Sequence, residues 1–154
     1  MMKSSHLKIF FCSLLIVVLV SCQNLKSHKI RHEPRHLQNA FLQDADLSEM
    51  NFERSDLTAA QLRNANLKKI NLERSILVRT NFQQADLEEA NLSKSDLTNA
   101  SFLEANLTNT NLSGSIMTGA LLTGANVQGA DFRETVGLTP VIREYLKKRG
   151  ALLD

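Results

Sequence analysis

The sequence predicts an all-β solenoid of about five coils with a short C-terminal α-helix as its cap. Three observations predict it. From Leu37 to Phe132 every fifth residue is apolar, twenty positions without a lapse. Two residues before each of these stands Ala, Ser or Thr in seventeen of the twenty, the exceptions being Arg35, Met50 and Ile70. Immediately before each stands Asn or Asp in thirteen of the twenty. At a hydrophobic content of 43% the first pattern alone arises by chance with a probability of about 10⁻⁷.

Neither regular alternative fits a period of five. An α-helix turns about 100° per residue, so positions five apart wander round the cylinder. A continuous strand sends them to alternate faces. A coil that turns a corner every five residues keeps each apolar residue inward, with the small residue two places earlier beside it. Four sides close a coil, and residues 20 apart then stack at about 4.8 Å. The first inward column is Leu37, Leu57, Leu77, Leu97 and Met117, and the other three start at Leu42, Leu47 and Phe52. These units resemble the A(D/N)LXX motif of the pentapeptide-repeat family over residues 35 to about 136. That resemblance implies a right-handed quadrilateral β-helix.

Within this frame each recurrent residue has a structural role. The Asn/Asp set is expected to satisfy backbone groups at the corners through short local hydrogen bonds. Gly114, Gly119, Gly124 and Gly129 occupy one position of successive units, where tight corners favour them. The open end of such a coil needs a cover. Residues 137–154 supply one, with Thr139 as N-cap, Pro140 in the first turn, basic residues 147–149 near the end and Gly150 as terminator.

Ahead of the repeats lie a leader and a tether. Residues 9–20, IFFCSLLIVVLV, are too short for a span of about 20 residues and fit a signal-peptide core. Leu19-Val20-Ser21-Cys22 resembles the bacterial lipoprotein box. That resemblance implies a palmitate-bearing lipoprotein with cleavage after residue 21, lipidation of Cys22 and a membrane anchor. Gln23, in place of Asp, implies the periplasmic side of the outer membrane in a Gram-negative cell. Residues 22–36 read as a polar, basic tether. His28, His32 and His36 are four apart, a metal-ligand spacing on a helix, but Pro34 argues against that helix. The expected organisation is 1–21 leader, 22–36 tether, 37–136 repeats and 137–154 cap.

The surface narrows the function. The chain's formal charge is +2, and residues 37–137 carry −5, without a basic stripe, so nucleic acid is not expected as a partner. The repeats contain neither cysteine nor, beyond His36, histidine, and no phosphate loop. No enzyme, cofactor, metal or small-molecule substrate is therefore expected. The third and fourth sides carry alternating charge, whereas the first two present Phe41, Ile76, Val78, Leu103, Ile116 and Leu121 outward. Those six are the candidate partner surface, for a homodimer or for an envelope protein. The resulting expectation is a lipid-anchored structural or protein-binding module of the cell envelope. The family resemblance implies one alternative, a DNA mimic that binds a topoisomerase if the chain is not exported.

Overall fold

The structure, a computed structural model, describes residues 35–154. The leader, Cys22 and two of the tether histidines, His28 and His32, fall outside the described residues. Isolated parallel bridges join residues 20 apart, in unbroken series such as His36 to Asp56, Ile76, Asp96, Ile116 and Val136. Each coil therefore holds four five-residue units, and we number its sides one to four by their inward columns, from Leu37, Leu42, Leu47 and Phe52.

The predicted class needs correction. Among the described residues there is no β-strand, and the one regular element is helix α1, Pro140–Lys148. The all-β solenoid and quadrilateral β-helix are thus replaced by stacked turns, linked through single bridge residues. The physical reason lies in the unit. Of its five residues two form the turn, and the second has φ between 55° and 75° in all twenty units from Asn39 to Glu134. A left-handed residue at every fifth position ends any extended run after one ladder pair. The glycines take four of those twenty positions, and Arg, Lys, Glu, Gln, Asp, Asn and Ala fill the others.

The unit Ala85–Glu89 shows how the backbone is satisfied. Ala85 N–H donates to the Phe82 carbonyl across the turn at 3.0 Å. Asp86 N–H donates back to Ala65 of the preceding coil (3.0 Å), and Leu87 and Glu89 donate forward to Asn106 (2.8 Å) and Thr108 (3.0 Å). Only Glu88 N–H is left over, and the Asp86 carboxylate accepts it at 3.2 Å. All thirteen Asn and Asp residues at this position accept the amide two residues on, so they close the last backbone donor of their own unit.

The inward columns form the core. Nineteen of the twenty central side chains are buried, the first, Leu37, being half-buried at the N-terminal rim. Phe82 and Phe102, 20 residues apart, stack with centroids 5.0 Å apart and planes inclined by 4°. At that rim Arg35 holds its guanidinium 4.8 Å from the centroid of Phe52, so a large residue at a normally small site covers the core end. Ile70 is buried, and Met50, one coil earlier, is half-buried.

At the other end Thr139 accepts from Ile142 N–H and Pro140 opens α1, which buries Leu146. Val141 is 79% exposed, so the helix turns its Leu146 side to the last coil. The chain then rejoins the stack. Leu152 bridges Asp131, Phe132 N–H donates to Leu152, and Gly129 N–H donates to Gly150. Gly150-Ala151-Leu152-Leu153 thus repeats the unit on side four at an offset of 21 instead of 20.

The membrane, lipoprotein, palmitate and outer-membrane description is also corrected for the described protein. No helix among the described residues is long and apolar enough to cross a membrane. The nine residues of α1 span about 13.5 Å, against roughly 30 Å of hydrocarbon, and the apolar columns face inward.

Candidate functional site

The position before each inward residue decides what a side shows to solvent. Sides three and four keep Asn or Asp there in every unit: Asp46, Asn66, Asp86, Asn106 and Asn126 on side three, and Asn51, Asn71, Asn91, Asn111 and Asp131 on side four. These side chains also link coils, as Asn106 Nδ2 donates to Asp86 Oδ1 at 2.9 Å. Much of the charge on the same two sides is paired within the chain. Lys68 pairs with Glu88 (2.7 Å) and Asp86 (3.2 Å), Lys69 with Glu89 (3.6 Å), and Arg74 with Glu73 (3.6 Å). Such pairs are exposed and screened by solvent, so they contribute little to stability. They make a solvated wall.

Sides one and two differ. All seven departures from Asn or Asp lie on them: His36, Ile76 and Ile116 on side one, Phe41, Gln61, Ser101 and Leu121 on side two. Four of the seven are large apolar residues with substantial exposure: Phe41 72%, Leu121 51%, Ile76 46% and Ile116 43%. Each of these four also removes an acceptor. The amides of Gln43, Val78, Thr118 and Thr123, two residues on, have no hydrogen-bond acceptor among the described residues.

Of the six residues expected to form a partner surface, Val78 and Leu103 are half-buried and four are exposed. Ile76 and Ile116 lie in one bridged column, which Val136 (60% exposed) extends. Phe41 and Leu121 share a column but stand at opposite ends, four coils apart. Val136 and the open amides were missed. A period of 20 carried one step past Ile116 reaches Val136, and it maps every unit lacking Asn or Asp to two sides, whereas the open amides show only in the backbone partners.

Replacing Ile76 and Ile116 by Asn gives an expected gain in stability. Each Asn supplies the missing acceptor and removes an exposed isoleucine, adding about 0.5–1.5 kcal/mol per site. Paired thermal melts of the single and double variants check this.

Among the described residues no group of three or more His, Cys, Asp or Glu is placed to hold a metal. Two carboxyls are shifted. The Arg133 guanidinium, bonded to Asp131 at 2.6 Å, outweighs desolvation and holds the Asp131 carboxyl below its ordinary value. For Asp56 desolvation pushes upward, but the Thr58 hydroxyl and amide, Gln38 and the His36 charge together win, and its carboxyl is also lowered. A depressed folded-state value means stability that is fully present above the unfolded carboxyl pKa of about 3.9 and lost as pH falls through the folded value. The melting temperature is therefore expected to fall below about pH 4. The Asp131→Asn variant keeps the turn acceptor but loses part of that slope, as melts between neutral pH and pH 2 would show.

Comparison with known proteins identifies the repeats. The family model for pentapeptide repeats matches in eight copies, over residues 36–68, 65–103, 75–114 and 100–136. A pentapeptide-repeat protein from the thylakoid lumen of Arabidopsis thaliana is 33% identical, with 71% of this chain and 81% of that chain covered and a TM-score of 0.55. A pentapeptide-repeat protein, Rfr23, from a Cyanothece cyanobacterium is 30% identical over 66% of this chain and 87% of its own, with a TM-score of 0.37. QnrB1, a plasmid-mediated fluoroquinolone resistance protein, is 20% identical over 77% of this chain and 67% of its own, with a TM-score of 0.48. No curated protein matches at a significant level.

Proposed function

The chain belongs to the pentapeptide-repeat family, and from that membership we propose that it is a non-enzymatic protein-binding module whose binding surface is sides one and two. One observation carries the reading. The turn-closing Asn or Asp is kept in all ten units of sides three and four and given up in seven of the ten on sides one and two. Each replacement forgoes a hydrogen bond worth about 0.5–1.5 kcal/mol, and four of them expose a large apolar side chain instead. Exposed apolar residues at regular positions on a rigid wall, beside unused backbone donors, suit recognition of a protein surface.

The topoisomerase-directed reading is also one of protein binding. QnrB1 stands among the similar solved structures, but its 20% identity extends to the fold alone. The lysine and arginine pairs on sides three and four work against a continuous acidic track. Addition of the full chain to a purified type II topoisomerase, with and without a quinolone, tests this reading. Protection of supercoiling activity supports it, and unchanged activity rejects it.

Where the chain acts depends on residues 1–22. We propose export, supported by the apolar core at 9–20 and by the lumenal location of the Arabidopsis relative. The mass of the mature protein checks this, because an intact residue 1 contradicts export.

The binding surface is tested by photo-crosslinkers at Ile76, Ile116 and Leu121, compared with Glu89 and Arg74 on the opposite sides. Crosslinks to a discrete protein are expected from the first set alone. Equal yields from both sets overturn it.

A further inference from the structure

Resting on sides one and two as the binding surface, we propose that side one seats an extended peptide in the polyproline II conformation, with apolar residues three apart and a cation between them. The outward column of this side reads His36, Asp56, Ile76, Asp96, Ile116 and Val136. Open and closed units alternate along it. Asp56 accepts the Thr58 amide at 2.9 Å and Asp96 the Thr98 amide at 3.0 Å, whereas the Val78 and Thr118 amides meet no acceptor among the described residues. Each open amide belongs to the unit of an exposed isoleucine, Ile76 or Ile116.

The open units therefore recur every two coils, about 9.6 Å at the interstrand spacing. A polyproline II chain repeats every three residues, about 9.3 Å, and its carbonyls are free of internal hydrogen bonds. Carbonyls three residues apart can accept from Val78 and Thr118 while the side chains beside them rest on Ile76 and Ile116. A β-strand brings same-side residues round every 6.8 Å or so, and falls out of step with the column. An α-helix has spent its carbonyls on itself. Midway between the isoleucines lies Asp96, whose Oδ1 already accepts from Thr98, so a lysine or arginine on the peptide finds a carboxylate there. Arg79 and Lys94 border the side and limit the match to one cation.

A second copy of the chain fits less well. A two-fold axis that sets Ile76 against Ile116 passes at the level of Asp96, so two like carboxylates would meet.

The test uses the full chain and a fluorescein-labelled peptide, PPLPKLPP, followed by anisotropy. A variant with Glu in place of its Lys and a scrambled peptide serve as controls. The expected result is saturable binding of the Lys peptide, at least tenfold weaker for the scrambled one. Ile76→Asn with Ile116→Asn weakens it at least tenfold while the melting temperature stays level or rises, and Asp96→Lys reverses the preference between Lys and Glu peptides. Equal binding of scrambled and Lys peptides, or of wild-type and double-variant protein, overturns the proposal. If side-specific crosslinks persist but the peptide does not bind, the extended-peptide occupant is rejected and the binding surface stands. If neither appears, both are rejected.

Discussion

Replacing Phe102 by Ala is expected to lower the unfolding free energy by about 3–5 kcal/mol, the range for a fully buried phenylalanine. Phe102 has no exposed surface and stacks on Phe82 at 5.0 Å. The coil cannot collapse around the vacancy, because inter-coil hydrogen bonds fix the stacking distance at Phe82 N–H to Ser101 and Phe102 N–H to Leu121, both 2.8 Å. A cavity that cannot close keeps its full cost. Denaturant titration of the variant measures the change, and a loss below about 1 kcal/mol would show a core far looser than this.

The second large effect is at the C-terminal end. Leu146 is the single buried residue of α1, and Leu146→Ala is expected to cost about 2–5 kcal/mol. Its loss frees the helix, and with it the returning segment that bonds Phe132 and Gly129 through Leu152 and Gly150. Exchange of those two amides is expected to rise first, before the body of the stack opens, because the ends of repeat arrays open independently of the middle. Uniform exchange along the chain would contradict this role for α1.

Much of this architecture could be read from the residues, for definite reasons. The five-residue spacing from Leu37 to Phe132 reports inward columns directly, and Asn or Asp before each centre reports the turn donor it closes. The class was not legible. Strand and single bridge both place residues 20 apart in register, and what separates them is a left-handed residue that is Arg54, Lys69 or Glu89 as readily as glycine. The final unit was hidden for another reason. Helix α1 shifts its register to 21, so Gly150 reads as a helix terminator although it also stands over Gly129 in the stack. The candidate surface was half legible. Ile76 and Ile116 stand out by their hydrophobicity, while the open amides of Val78 and Thr118 appear only once the backbone partners are known.

Sides three and four keep the turn-closing Asn or Asp in every unit, and sides one and two lack it in seven of ten. Residue-resolved amide hydrogen exchange on the free protein goes to this contrast most directly. Rapid exchange is expected at Val78 and Thr118 and markedly slower exchange at Thr58 and Thr98, which occupy the same position on the same side one coil away and are closed by Asp56 and Asp96. Equal protection at all four amides would contradict it.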